Sequence, residues 1–73
     1  MEIANGFVKA EDGSWININV ITGFRVFSEG QDKGYSILAC LSGIGLNGYR
    51  LIQSGFKTEQ DAQVELNMYV RRL

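Results

Sequence analysis

Three pairs of carboxylates, Glu11 with Asp12, Glu29 with Asp32 and Asp61 with Glu65, are the groups whose type and spacing could do general acid–base work in this 73-residue chain. Each pair falls in a turn or on an exposed helix face, where solvated carboxylates keep ordinary pKa values and serve poorly as catalysts. All three therefore read as solubilising surface. The chain has no histidine, which removes Ser-His-Asp and Cys-His catalysis, His-ligated zinc or iron, and imidazole switching near neutral pH. The single cysteine, Cys40, has no partner base and alternates with apolar residues, so it reads as an inert core or interface residue. The expectation is a protein that is not an enzyme, with no catalytic residue, metal ligand, cofactor or identifiable small-molecule substrate.

Gly43-Ile44-Gly45-Leu46-Asn47-Gly48 satisfies the spacing of a dinucleotide-binding loop after a strand-like run. Such a loop needs a helix N-terminus directly behind it to hold a pyrophosphate, yet Tyr49-Arg50-Leu51-Ile52 alternates like a strand. A hairpin loop is the better reading. Arg25, Arg50, Arg71 and Arg72 are the candidate nucleic-acid contacts, with Phe27 able to stack beside Arg25 and Arg50 if all three share a face. Seven basic against eight acidic side chains give a net charge of -1, so no bulk positive field gathers polyanions, and neither nucleic acid nor membrane is the expected partner.

Positioning these groups falls to a short chain. At this length one domain is the limit, residues 1–73, with a thin core. The apolar set makes up 45% and charged residues 21%, a balance that folds rather than stays disordered. A lone cysteine cannot staple the domain, Met1 to Ala10 has neither a basic nor an apolar leader segment, and no apolar run approaches the length of a membrane span. A cytoplasmic location follows as an expectation.

Gly and Asn punctuate the first 56 residues, predicting short strands near Gly6–Ala10, Ser14–Ile18, Thr22–Ser28, Gly34–Leu41 and Tyr49–Gln53. Turns are expected at Glu11 to Gly13, Glu29 to Lys33 and Ser42 to Gly48, the register around Asn47-Gly48 staying open. From Thr58 the period changes: Thr58-Glu59-Gln60-Asp61 has the form of a capping box, and Ala62, Leu66, Tyr69, Val70 and Leu73 recur on one side of a helix over 58–73. The expected class is α+β: an antiparallel β-meander of four or five short strands, strongly curled or open, packed by one C-terminal helix.

One such helix covers one face of a small sheet. Phe24 and Val26, then Tyr35, Ile37, Ala39 and Leu41, then Tyr49 and Leu51 are assigned to that face by period-two alternation. The opposite positions are apolar too, since they include Trp15, Phe27, Leu38, Cys40 and Ile52. Two arrangements answer this: a curled, partly closed sheet that buries Trp15 and Leu38 within one molecule, or an interface between molecules. Val64 and Met68 form a second apolar ridge on the helix, flanked by Glu65 and Arg72. Trp15, Phe27, Leu38, Ile52, Val64 and Met68 are thus the candidate interaction surface.

Gly13-Ser14-Trp15-Ile16-Asn17, the following Val20-Ile21-x-x-Phe24-x-Val26, and Phe56-x-Thr58-Glu59-x-x-Ala62-Gln63 together cover most of the chain. The pattern is similar to one seen in small uncharacterised proteins of bacteria and their phages, strand-rich with a C-terminal helix. It implies no activity and no functional residue. The expected function is a non-enzymatic protein–protein interaction module that self-associates, a dimer foremost. The alternative is an inhibitor or accessory protein, of the kind phages and mobile elements encode, that binds a host enzyme or nucleic-acid complex.

Overall fold

A computed structural model describes residues 1–43 and 48–71 of the chain. Six strands and one helix follow in order: β1 Ile3–Ala4, β2 Phe7–Lys9, β3 Trp15–Asn17, β4 Ile21–Ser28, β5 Tyr35–Leu41, β6 Gly48–Phe56 and α1 Glu59–Val70, with a 3-10 turn Ile18–Val20 between β3 and β4. The class is α+β with antiparallel pairing throughout, as the sequence predicts. The strands form two three-stranded sheets, β1-β2-β3 and β4-β5-β6, rather than one meander, and neither closes on itself. The curled arrangement that would have hidden Trp15 is thereby corrected: Trp15 stays 44% exposed.

The break between the sheets lies at Asn17. Its side-chain oxygen accepts a hydrogen bond from the Asn19 amide at 2.8 Å, which caps the 3-10 turn and interrupts the extended backbone before Ile21. The strand that sequence reading lacks, β1, is only two residues long and joins β2 through Asn5 at φ 52 and Gly6 at φ 82. Two successive positive φ angles are what a tight primed turn requires, and Asn-Gly supplies them at least cost.

A single core holds the two sheets and the helix together. Val8, Ala10 and Ile16 of the first sheet and its flank meet Ile37, Ala39 and Ile52 of the second and Ala62 and Leu66 of α1. Phe24, Val26, Tyr35, Leu41 and Phe56 pack against this cluster, as the alternation of β4 and β5 predicts. The helix begins as expected, with the Thr58 hydroxyl accepting from the Asp61 amide at 3.0 Å. Val70 departs from its assignment to the buried stripe and is 45% exposed. At 100° per residue it lies about 80° beyond Ala62, whereas Leu66 and Tyr69 flank Ala62 closely. Leu73 lies outside the described residues.

The larger correction concerns β6. Tyr49 stands opposite Cys40 and Leu51 opposite Leu38, so both are on the face turned away from the helix. The pairing then steps from Leu38↔Leu51 to Ile37↔Gln53, leaving Ile52 as an extra, unopposed residue. Ile52 alternates with Leu51 onto the core-side pleat, where it is 4% exposed, and the extra residue brings Gln53 rather than Ile52 opposite Ile37. Ile52 therefore leaves the candidate interaction surface.

Candidate functional site

Cross-strand partners share a face, which fixes the composition of the outer side of the β4-β5-β6 sheet. Arg25 faces Leu38, which faces Leu51; Gly23 faces Cys40, which faces Tyr49; Phe27 faces Ser36. Phe27 is 45%, Tyr49 57% and Leu51 36% exposed, with Leu38 and Cys40 half-buried between them. The first sheet and α1 both belong to the core on the other side. An apolar sheet face therefore opens outward, built from Phe27 and Leu38 of the sequence-derived set and from Tyr49 and Leu51, which alternation had assigned to the core.

Arg25 is the cation of this face. Its guanidinium lies 5.8 Å from the centre of the Tyr49 ring and donates to the Tyr49 hydroxyl at 3.4 Å, a cation–π arrangement that keeps the charge on the sheet surface. At the turn end of the face the Ser36 hydroxyl, fully buried, donates to Glu29 at 2.7 Å, so the Glu29 carboxylate lies beside Phe27. Positive and negative side chains thus bracket Phe27 along one strand.

The edges of this sheet differ. Along β6 the Glu11 amide donates to the Leu51 carbonyl at 3.0 Å, and the Ser54 hydroxyl donates to Glu11 at 2.8 Å, so the first sheet's flank covers part of that edge. Along β4 the Glu29 amide donates to the Gly34 carbonyl at 3.0 Å. Since antiparallel pairs alternate between bonded and non-bonded, Phe27, Arg25 and Gly23 also turn their backbone groups toward β5. Phe24, Val26 and Ser28 then direct theirs to the free side, where no backbone partner is found among the described residues. β4 contains neither proline nor lysine, residues that commonly blunt an exposed edge.

The remaining candidates are scattered. Trp15 projects from the first sheet beside Phe7, itself 40% exposed, and the two rings border a groove of about 380 Å³ with Ala4 and Asn5. Lys9 lies 5.8 Å from the Trp15 ring and 3.8 Å from Glu2. Val64 and Met68 are 53% and 55% exposed on the helix, as expected for the second ridge. Arg50 is opposite Ala39 and so on the core-side pleat, not on the face of Arg25 and Phe27 as the sequence reading allowed. It borders Asp12 and Leu51 on one side and Trp15 on the other. Arg71 ends the helix, and Arg72 lies outside the described residues. The arginines do not form one patch.

The carboxylate pairs are likewise separated by their bonds. Glu11 and Glu29 accept from Ser54 and Ser36, and Glu65 lies 3.1 Å from the Met1 ammonium, which also donates to Gln53. The Ser14 hydroxyl, at 2.6 Å, and the Ser14 amide, at 2.9 Å, hold the Asp12 carboxyl below its usual range, with a smaller contribution from Arg50. No group of three or more metal-ligating side chains occurs among the described residues. A groove of about 580 Å³ lies at the β4–β5 turn between Lys33, Asp32 and Lys57. In the loop of the glycine motif, Ile44 to Asn47 lie outside the described residues, and Gly48 opens strand β6 rather than a helix. No helix is long and apolar enough to cross a membrane among the described residues. Comparison with protein-family models, curated proteins and solved structures finds no match to this chain.

Proposed function

We propose that this chain is a non-enzymatic protein–protein interaction module that self-associates through the open flank of its β4-β5-β6 sheet and offers the outer apolar face to a protein partner. The observation that carries this reading is Phe27, 45% exposed on the outer face of a strand whose edge is unpaired. Large apolar side chains gathered on one face, rather than scattered singly, mark interaction surfaces. Phe27, Leu38, Tyr49 and Leu51 are gathered in this way, and Arg25 supplies a polar border.

Light scattering over a concentration series, with wild type and Phe27→Glu compared, tests the self-association. Wild type is expected to rise from monomer to dimer mass, while Phe27→Glu stays monomeric with an unchanged circular dichroism spectrum. A Val64→Glu/Met68→Glu variant is expected to dimerise as wild type does, because that ridge lies on α1 and not on strand β4. A strand edge buries little beside the roughly 1,600 Å² of a standard interface, so the series must reach about 1 mM. Wild type that remains monomeric at that concentration refutes self-association.

A further inference from the structure

We propose that the partner at the β4 edge is a second copy of β4, paired antiparallel about a two-fold axis at Phe27, so that two three-stranded sheets join into one of six strands. This rests on the self-association reading above and adds the strand, the direction and the register.

Backbone groups limit the choices. Phe24, Val26 and Ser28 point to the free edge, so a two-fold pairing must set these residues against one another. The two-fold axis then passes through Arg25, Val26 or Phe27. An axis at Arg25 places two guanidinium groups directly opposite each other, which like charges disfavour. An axis at Val26 places Arg25 against the second copy's Phe27 and Glu29 against its Gly23, so the carboxylate has no cation to meet. An axis at Phe27 pairs Arg25 with the second copy's Glu29, twice by symmetry, and sets the two Phe27 rings against each other. Val26 and Ser28 then exchange the backbone hydrogen bonds. The axis at Val26 forms two more backbone bonds, but from amides that water already satisfies. The axis at Phe27 alone matches both charges and covers the most exposed apolar side chain of the strand.

Glu29 is already placed for this role. One of its oxygens accepts from the buried Ser36 hydroxyl at 2.7 Å, which holds the carboxylate on the outer face and leaves its other oxygen for a cation. Arg25 is exposed and bound within its own chain to an uncharged partner, Tyr49. Along one strand Arg25 and Glu29 are too far apart to pair with each other, so their opposite charges find each other only between copies.

Charge exchange and cross-linking test the register together. Arg25→Glu and Glu29→Arg are each expected to weaken the dimer by about tenfold, and the double variant to return to within about threefold of wild type. In a Cys40→Ser background, Phe27→Cys is expected to form an intermolecular disulfide under mild oxidation. Residues opposed in a non-bonded antiparallel pair lie ~4.5 Å apart at Cα, within disulfide reach. A Ser28→Pro variant is expected to fold and remain monomeric, since it removes an amide directed to the free edge and, besides that, only the 3.4 Å bond that the Ser28 hydroxyl accepts from the Gly30 amide. A dimer in which Arg25→Cys cross-links only to Phe27→Cys overturns the Phe27 register in favour of Val26. A dimer indifferent to all these changes overturns the β4 edge altogether while self-association stands. A wild type that never dimerises overturns both.

Discussion

Exchanging Ile52 and Leu51 in turn for alanine tests the placement of β6 directly, because neighbours in sequence are assigned to opposite sides of the sheet. Ile52 is 4% exposed and packs among Ile37, Ala39 and Leu66, so truncation removes enclosed apolar volume and leaves a cavity. The expected loss is about 3 kcal/mol, in the middle of the range for such substitutions. Leu51 is 36% exposed on the open face, where no enclosed cavity is created, and its loss should be about 1 kcal/mol. A 73-residue domain holds roughly 4 to 11 kcal/mol in all, so the first change consumes a large share of stability and the second a small one. Urea titration followed by circular dichroism reads the difference. With m near 1 kcal/mol/M for a small domain, midpoints should fall by about 3 M and about 1 M. Leu51 lies two strands from the β4 edge, so dimerisation does not confound the comparison. Equal losses, or a larger loss at Leu51, would refute the phase assigned to β6 and put Leu51 rather than Ile52 on the core side.

Gly34 has φ +83, and a Cβ there would meet the Phe56 carbonyl oxygen at 2.5 Å. Gly34→Ala should therefore cost at least ~2 kcal/mol by thermal unfolding, combining a disfavoured backbone region with a backbone clash. Thr58→Ala removes the acceptor for the Asp61 amide, and a loss of about 1 kcal/mol, read as a drop of several degrees in melting temperature, is expected. Asp12 titrates below its usual range because Ser14 bonds its charged form, so its contribution is present above the unfolded pKa and lost as pH falls through the folded one. Ser14→Ala should raise the Asp12 pKa toward the ordinary value in an NMR titration, and an unchanged titration would rule out the serine as the cause.

How far these features can be read from sequence varies with the kind of signal. The helix start was legible because Thr58 and Asp61 stand at capping distance in the chain, a local relation that tertiary packing does not alter. The core faces of β4 and β5 were legible for a similar reason: Phe24, Val26, Ile37 and Ala39 keep an unbroken period of two. Asn5-Gly6 has the composition of a primed turn, yet the reading by alternation put Gly6 into the first strand, and β1 was missed because two residues are too few to show any period. β6 was different in kind. Alternation tells which residues share a face but not which face, and one extra residue reverses the answer beyond it. With Tyr49 and Leu51 on one phase and Arg50 and Ile52 on the other, hydrophobicity alone could not choose which phase faces the core.

The open face follows from where the covering elements lie among the described residues. A helix of 12 residues is about 18 Å long, whereas β6, at nine residues, extends for about 30 Å. α1 therefore cannot roof even the inner face by itself, and Val8, Ala10 and Ile16 of the first sheet fill the remainder of the core. Both covering elements are spent on one side. Placing the first sheet on the outer face instead would uncover Ile37 and Ala39, which are fully buried where they are. An outer face rich in Phe27, Leu38, Tyr49 and Leu51 must then meet water or another molecule, and only the second option removes its apolar area from solvent. Under the proposed self-association, a second copy would complete the layers of this two-sided apolar sheet, with the β4 edge and the face beside it acting as one surface.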